Sequence, residues 1–363
     1  MKTECTAVRI EFTGLDRRAV QGAFDGGLIS SDGGAVLLRE VDARLGITEN
    51  LAACFTEHRD PDLIEHDLLA LVRQRVYGVA LGYEDLNDHD DLKWDPLWAV
   101  ALNKKDLEGQ ARHREADRGK VLASSSTLNR LELSDADEAA ESRYKKMAHD
   151  PEKLETFFVD VFLDSFTEAP EEIVLDFDAT DDPVHGNQEG KFFHGYYRCY
   201  CYLPLYVTCG EHVLVAKLRT SDRDAEEGSV DVLATLVARI RDRWPDTRIV
   251  LRGDSGFARD GLMDWCESHC VYYLLGLAKN KRLLEMIVKE MEDAEFRHIV
   301  TGYAMRVFTH FHYHTQKSWS RPRRVIAKAE HLFKGACPYQ EIFRKAWQQL
   351  HHYPLRPNHT LRC

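Results

Sequence analysis

Several features that would assign this chain to a class of protein are missing from it. No apolar run approaches the roughly 18 residues that a membrane-spanning helix needs. The first residues, Met1–Cys5, lack the apolar region of a signal peptide. The nine cysteines are scattered without a C-x-x-C pair, which favours free thiols in a reducing compartment over a disulfide framework. Together these absences predict a cytoplasmic protein that does not contact a membrane.

An excess of positive charge is missing as well. The formal net charge is −12 over 363 residues, which argues against a uniformly basic nucleic-acid binder. The apolar fraction of 44% and the charged fraction of 30% are those of a soluble globular protein. The length predicts about two or three domains.

One stretch departs from this acidic balance. Between Arg297 and His331 the only acidic residue is Glu330. Seven residues of the same stretch are basic, namely Arg297, Arg306, Lys317, Arg321, Arg323, Arg324 and Lys328. A local excess of this kind is typical of a surface that contacts DNA phosphates.

Two short apolar runs each end in an aspartate. In Ile173–Thr180 the residues alternate as in a half-buried strand, and Asp178 stands near the end. A strand that runs out into an acidic turn explains this segment equally well. In Arg248–Phe257 a second apolar run ends at Asp254, before a turn.

Strands that end in aspartates can bring two carboxylates together at neighbouring strand ends. Hard divalent cations are held by oxygen ligands of this kind, and paired metals about 3.5–4 Å apart carry out in-line phosphodiester chemistry. Asp178 and Asp254 are therefore the first candidates for a metal centre.

The residues before Glu171 read as mostly helical. Hydrophobic spacing and capping residues predict helices from Ser31–Gly34 to Leu45, and over Pro61–Leu81, Asp95–Leu102, Ser126–Leu133, Ala136–Met147 and Glu152–Phe166. The first of these should bury Leu37, Leu38, Val41 and Leu45. The acidic segment Glu84–Asp91 is expected to be a solvated loop rather than a metal site.

Strands dominate after Glu171. Strands are predicted at Phe192–Tyr202, Leu203–Cys209, Val213–Leu218 and Val271–Leu277, with helices at Gly228–Trp244, Asp260–His269 and Arg282–Phe296. An antiparallel meander followed by parallel crossovers is the order of an RNase H-like α/β core. Two further strands are predicted, at Val300–Phe308 and Arg323–Lys328.

Two motifs in the basic stretch have alternative interpretations. His310, His312 and His314 alternate as a metal site might, but without a nearby cysteine or carboxylate a surface or DNA-facing strand is favoured. Trp319–Arg324 mixes an aromatic with cations, which suits base stacking and phosphate contact; a solvated turn fits nearly as well.

The chain resembles the DDE-type insertion-sequence transposases. It is most similar to the bacterial insertion-sequence family numbered thirteen-eighty, within the RNase H-like superfamily. The segments that carry the resemblance are Ser31–Gly34, Gly82–His89, Ser126–Glu132, Asp176–Gly186, Phe193–Tyr197, Leu203–Tyr206, Leu251–Phe257 and Arg324–His331. They extend over the chain from near Ile10 to Ala336.

The resemblance implies an enzyme that cuts and joins DNA. Asp178 would be the first catalytic acid and Asp254 the second, and they would hold two Mg²⁺ ions, for which Mn²⁺ can substitute. The partners implied are the element's terminal inverted repeats and target DNA, bound by a homodimer. Residues 1–168 would be a helical region that binds DNA ends, 169–296 the RNase H-like catalytic core, and 297–336 a basic β-rich insertion.

The third acid of the family pattern is missing at its expected spacing. Tyr303 and Arg306 have the right separation, but His310 stands where the glutamate is needed. Tyr353 and Arg356 repeat the spacing, with Thr360 in that place. Residues 337–363 do not match the family, which predicts a C-terminally truncated and inactive polypeptide with an incomplete insertion.

Two other functions compete with this hypothesis. A non-catalytic DNA-binding remnant could interfere with an intact transposase, and cleavage of a DNA end in Mg²⁺ or Mn²⁺ would distinguish it. A glycosidase with two carboxylates needs neither a metal nor the basic stretch, which makes that alternative the weakest.

Overall fold

The computed structural model describes residues 9–15, 18–23, 30–134 and 141–332, with only the backbone described in the first two ranges. The chain divides into two compact units. The first unit comprises residues 1–220 and 232–248, and the second comprises residues 221–231 and 249–363. The predicted tail at 337–363 lies outside the described residues, as do Tyr353, Arg356 and Thr360.

The first unit begins with a region of helices and two short antiparallel strand pairs. Its elements are β1 (Arg9–Leu15), β2 (Arg18–Ala23), α1 (Ala35–Leu45), α2 (Ile47–Ala52), β3 (Phe55–Glu57), α3 (Leu68–Ala80), α4 (Asp88–Leu92), α5 (Pro96–Ala101), α6 (Ser125–Glu132), β4 (Met147–His149) and α7 (Pro151–Asp164). β1 pairs with β2 and β3 with β4, both antiparallel. One core cluster of this region includes Tyr77, Trp98, Leu102, Val121 and Leu122.

The predicted helix over Pro61–Leu81 is wrong as a single element. Asp60 accepts the Asp62 N–H and caps only a short 3₁₀ turn, Pro61–Leu63. The chain then leaves helical geometry until Asp67 accepts the Ala70 N–H at 2.7 Å and starts α3. A second aspartate with capping geometry therefore divides the helix in two.

The predicted buried face of α1 is wrong for three of its four residues, and only Leu38 packs against the core. Leu37 is 70% exposed, and Val41 and Leu45 are exposed too, whereas Asp42 is buried. The Asp42 carboxylate accepts the Thr48 N–H at 2.8 Å and the Tyr77 hydroxyl at 2.9 Å. A satisfied buried polar network therefore determines which side of α1 faces inward.

The second half of the acidic segment forms a helix rather than the expected loop, since α4 begins at Asp88, whereas residues 84–87 are loop and turn. In α4, His89 is fully buried and its Nδ1 lies 3.3 Å from the Gln74 amide nitrogen. Asp90 accepts the Ser125 hydroxyl at 2.6 Å. The predicted helix at Ala136–Met147 is likewise wrong in its described part, because 141–146 are turns and bends and Met147 begins β4.

Strands follow α7 in the first unit. They are β5 (Glu172–Ala179), β6 (Asp182–Pro183), β7 (Phe192–His194), β8 (Cys199–Tyr202), β9 (Leu205–Cys209) and β10 (His212–Lys217), and then helix α8 (Ser229–Arg243) begins. β5 pairs antiparallel with β9, and β9 with β10, which confirms the predicted meander. The predicted strand Phe192–Tyr202 is instead the hairpin β7–β8, with Arg198 at φ 58° between the strands.

The second unit contains parallel and antiparallel strand pairs. Its elements are β11 (Arg248–Gly253), α9 (Asp260–Ser268), β12 (Tyr272–Leu275), α10 (Lys281–Met286), α11 (Val288–Thr301), β13 (Met305–Tyr313) and β14 (Arg323–His331). The first residue of β11, Arg248, is counted in the first unit. β11 and β12 are parallel and α9 connects them, as predicted. The predicted helix Arg282–Phe296 is two helices, α10 and α11. Because α11 continues to Thr301, the strand predicted at Val300–Phe308 begins only at Met305.

Helices, antiparallel pairs and a parallel pair thus occur together, in agreement with the predicted mixed α/β architecture. β13 and β14 form an antiparallel hairpin in register from Met305↔His331 to Tyr313↔Arg323. Among the described residues, no helix has both the length and the apolar character to cross a membrane.

Candidate functional site

Asp178 lies near the end of β5. Ile173, Leu175 and Phe177 are buried on one side of this strand, which confirms the predicted alternation. Asp178 points to the other side and is exposed, opposite Tyr206 of β9 in the strand register. The neighbouring Tyr197 hydroxyl donates to the Ala179 carbonyl at 3.2 Å. The strand therefore presents Asp178 on an accessible surface beside aromatic side chains.

Asp254 follows β11 directly and holds the turn after it. Its Oδ1 accepts the Gly256 N–H at 2.8 Å and caps the 3₁₀ turn Ser255–Phe257. The Gly276 N–H donates to the Gly253 carbonyl at 2.9 Å. A Cβ at Gly276 would lie 3.1 Å from the Asp254 carbonyl carbon. A glycine is thus needed where the chain after β12 passes the backbone of Asp254.

A second acidic segment lies beside the Asp254 turn in the same unit. A Cβ built on Gly256 would lie 3.2 Å from the Ala225 Cβ. Arg259 donates to both oxygens of Asp224, at 2.9 and 3.2 Å. Burial raises the pKa of the neighbouring Glu226 carboxyl, and the charge of Asp224 raises it further.

Sequence analysis missed this segment because no local pattern marks it. Asp224 and Glu226 stand about thirty positions before Asp254, between a strand and a helix where acidic turns are common. Only the fold brings residues 224–226 against the turn at 254–256. The Arg259–Asp224 ion pair is one contact that supports this arrangement.

The two predicted acids belong to different compact units, Asp178 to the first and Asp254 to the second. Their pairing in one centre stays a prediction. Carboxylate oxygens are donors of the kind that a hard divalent cation prefers, so the chemistry of both residues fits such an ion. Within residues 30–134 and 141–332, no three histidine, cysteine or acidic side chains are grouped closely enough to hold a metal.

The structure shows why the third acid is hard to place. Tyr303 precedes β13, and Arg306 and His310 lie within it, so the expected spacing falls on a strand where the family pattern needs a helix. Glu330 on β14 is engaged by two cations, Arg306 at 2.5 Å and Lys328 at 2.9 Å. Its carboxylate is therefore engaged in ion pairs within the hairpin of β13 and β14.

Most of the predicted phosphate-contacting cations are held in ion pairs. Arg323 is only 5% exposed, and it contacts Asp260 at 2.5 Å and Glu267 at 2.8 Å on α9. The remaining pairs are Arg321 with Asp264 and Glu267, Arg297 with Asp293, and Arg306 and Lys328 with Glu330. Counting charges within residues 297–331 overlooked the acids that α9 and α11 supply.

Two exposed cations of the stretch have no ion pair among the described residues. Lys317 and Arg324 are exposed, and within the described part of the chain neither has a carboxylate at ion-pair distance. His310 and His312 are exposed on β13 as well, which agrees with a surface strand. Trp319 is buried, and it packs with Met263 and Tyr313. The base-stacking interpretation of Trp319 is therefore corrected to a role in the core of the second unit.

Two comparisons with known proteins give similarities. The family model described as transposase DDE domain, group 1, matches residues 12–344. The match therefore extends into residues 337–344, and the prediction that the resemblance ends at Ala336 is corrected. Among solved structures, the chain is similar to a piggyBac transposase in a synaptic complex with hairpin DNA, determined by cryo-EM, at 12% sequence identity and a TM-score of 0.28. That match covers 70% of this chain and 66% of the other, a little under two thirds. Its TM-score is too low to support an argument. The comparison with curated proteins finds no match.

Proposed function

The chain belongs to the transposase DDE domain family, and on this premise we propose that Asp178 and Asp254 are its first two catalytic acids. The observation that carries the proposal is that each aspartate stands at the exposed end of a strand with buried residues, within the matched range. The motifs around both residues support the thirteen-eighty insertion-sequence family and an RNase H-like core as the finer assignment.

The roles of the two residues follow from their chemistry. Each carboxylate would bind a divalent cation, with Mg²⁺ as the proposed ion and Mn²⁺ as its substitute. When bound, a metal pair supplies the Lewis acidity that phosphodiester cleavage and joining require. The Gly256 N–H donates to one carboxylate oxygen of Asp254, and this hydrogen bond orients the Asp254 side chain before any ligand arrives.

A further part of the proposal is that this polypeptide does not complete strand cleavage. The spacing that should place a glutamate on a helix instead places His310 on β13. Glu330 is engaged by Arg306 and Lys328. The alternative function, a DNA-binding protein that competes with an active transposase, is favoured by these same two observations.

Metal binding tests the two-acid centre. In the double variant Asp178→Asn, Asp254→Asn we expect Mn²⁺ binding, followed by electron paramagnetic resonance, to be abolished because both charged ligands are lost. A matched control is Asp242→Asn with Asp246→Asn, which changes the charge equally at two exposed positions. Full Mn²⁺ binding in the first variant would refute the centre.

Strand cleavage tests activity separately. Purified protein and a duplex carrying an element end, in Mg²⁺ or Mn²⁺, should give no cleaved or joined product. Cleavage that depends on metal and disappears in Asp254→Asn would show that a third ligand exists, and Glu226 would then be the first residue to substitute.

The proposed partner is DNA, contacted by a homodimer at terminal inverted repeats and at the target. Within the basic stretch, the exposed and unpaired residues Lys317 and Arg324 are proposed as the primary phosphate contacts. The paired cations Arg297, Arg306, Arg321 and Lys328 are proposed as secondary ones, and Arg323 is left out because it is buried. Each phosphate contact contributes about 0.9 to the slope of log affinity against log salt concentration.

Salt-dependent DNA binding tests this assignment. Lys317→Ala combined with Arg324→Ala should reduce the magnitude of the slope by about 1.8, because two contacts are lost. A control with the same charge change is Lys153→Ala with Arg243→Ala, both in the first unit. If the slope is unchanged in the first variant and reduced in the control, the DNA surface lies in the first unit.

A further inference from the structure

Three cations surround one buried histidine in the first unit. His66, in the segment before α3, is only 7% exposed. Lys104 Nζ lies 2.7 Å from its Nδ1, and Arg112 Nη1 contacts its Nε2. Arg59 donates to the His66 backbone carbonyl at 3.0 Å. Both ring nitrogens are thus approached by cationic side chains.

This arrangement leaves hydrogen-bonding capacity unused. A neutral imidazole accepts a hydrogen bond at one nitrogen and donates from the other, so Lys104 and Arg112 cannot both donate to His66. Lys104 also donates to the Val121 carbonyl. Among the described residues, no carboxylate lies at ion-pair distance from Lys104, and the buried Nε of Arg112 has no hydrogen-bond partner.

The acids nearby are already committed to backbone donors. Asp67 caps α3 through the Ala70 N–H. Asp106 accepts the Ala111 N–H at 2.6 Å. Glu65 accepts the His113 N–H at 2.9 Å, and it pairs with Arg112 at 3.3 Å. These carboxylates keep their charges when they accept backbone N–H groups, so they offset part of the positive charge around the histidine, although none of them forms an ion pair with Lys104.

A cavity of about 400 Å³ opens beside this cluster. Its charged lining consists of four cations, Lys104, Lys105, Arg112 and Lys120, and three acids, Glu65, Asp67 and Asp106, with His66 beside them. The volume is at the lower end of the range for small-molecule sites, which is large enough for a phosphate group and a part of the molecule that carries it. Partly buried cations that face a polar cavity attract an anion, since its charge offsets the cost of burying them.

We propose that this cavity binds a phosphate group, held by Lys104 and Arg112 in charge-assisted hydrogen bonds. Phosphate oxygens can accept from several donors at once, so one ligand can accept from Lys104 Nζ and from the Arg112 guanidinium, both of which belong to residues that line the cavity. His66 is then left with a single cationic neighbour to accept from. Burial, and then the charge of Arg112, lower the pKa of Lys104 to about 8, as expected for an ammonium group that lacks its counter-ion.

The proposal does not depend on the two-acid centre. Asp178 and Asp254 contribute nothing to this cavity, so loss of the metal site leaves the phosphate site intact. The phosphate can come from the backbone of bound DNA or from a free phosphate ester, and the two sources share the same recognition chemistry.

Thermal unfolding of the full chain tests the site with inorganic phosphate and pyrophosphate. Sodium chloride at equal ionic strength is the reference. Both anions should raise the Tm of the native protein by several degrees, and this rise should be lost in Lys104→Met. The exposed residue Lys153 on α7 gives the control variant Lys153→Met, which should keep the full rise.

The Tm without phosphate provides a second measurement with a defined sign. If Lys104 lacks its counter-ion, Lys104→Met removes a repulsive charge and should melt higher than the native protein. If Lys104 is only a structural donor to Val121, the variant should melt lower and keep its response to phosphate. That second pattern, or a native protein whose Tm does not respond to either anion, overturns the proposal.

Binding to duplex DNA distinguishes the two sources. If DNA supplies the phosphate, Lys104→Met should reduce the salt slope by about 0.9, and pyrophosphate should compete with DNA. If a free phosphate ester is the ligand, DNA affinity should be equal in both proteins while the thermal response is still lost. Either result supports the site and assigns its ligand.

Discussion

Replacing Arg323 with methionine is expected to lower the free energy of unfolding of the second unit by about 3 kcal/mol. The guanidinium is 4% exposed, and it joins β14 to α9 through Asp260 and Glu267. Without it, Asp260 loses its cationic partner and Glu267 keeps only Arg321, in a partly buried site. Asp260 and Glu267 remain 28% and 27% exposed, so solvent screening keeps the loss near the lower end of the range for a buried pair.

Urea unfolding monitored by tryptophan fluorescence measures this loss, because Trp319 packs beside the hairpin. Arg324→Met is the matched control, since Arg324 is the exposed neighbour on the same strand, and its effect should stay within about 0.5 kcal/mol. Arg323→Lys should fall between the two because it keeps the charge and loses the planar fork. Equal effects in Arg323→Met and Arg324→Met would show that the ion pairs contribute nothing.

Low pH should reduce the loss of stability that Arg323→Met causes. Burial acts to raise the pKa of Asp260 and of Glu267, but hydrogen bonds from Ser320 to Asp260 and from Arg323 to both outweigh it, and each pKa is lowered. A carboxyl with a lowered pKa stabilises the fold above its unfolded-state pKa, and the stabilisation is lost as the pH falls through the folded-state value. The difference between native protein and Arg323→Met should therefore shrink below about pH 4.

The first unit should lose stability in mild acid because of His66. Burial, and then Lys104 and Arg112, lower the pKa of His66 to about 2, so the folded unit holds the imidazole neutral. In the unfolded chain this imidazole binds a proton near pH 6.5. The stabilisation of the folded unit by the neutral His66 is therefore complete above that pH and decreases below it. The expected loss is about 1.4 kcal/mol per pH unit, or about 2.5 kcal/mol between pH 7 and pH 4.5.

Denaturant unfolding at pH 7, 5.5 and 4.5, in buffers without phosphate, measures this loss. His66→Asn should flatten the dependence relative to the native protein, since carboxyl titration is common to both. His113→Asn provides the control, because His113 lines the same cavity and is exposed. Parallel curves for the native protein and His66→Asn would contradict the neutral buried imidazole.

The sequence was most informative where a pattern is local. The alternation in β5 places Ile173, Leu175 and Phe177 in the core because successive strand residues face opposite sides, and Pro151 after Asp150 marks the start of α7. The strands predicted at Leu203–Cys209 and Val213–Leu218 form the hairpin β9–β10. Each of these signals is contained within a few residues.

Prediction failed where distant residues decide the outcome. Asp42 lies on the inner side of α1 because Thr48 and Tyr77 satisfy it, and no spacing of leucines reports that contact. Arg323 was assigned to a phosphate surface, but its partners stand on α9, more than fifty positions earlier. The cluster around His66 likewise joins residues 38 and 46 positions apart.

The ion pairs between β14 and α9 also have a kinetic consequence. Asp260 and Arg323 are 63 positions apart, whereas β13 and β14 are neighbours in the chain and α9 forms from local contacts. Contacts that close long loops form after local ones, since the entropy of closure must first be offset. The pairs therefore stabilise the native state more than the transition state, and their main effect is to slow unfolding. The hairpin of β13 and β14 would then stay attached to α9 for long periods even where the equilibrium stability of the second unit is modest.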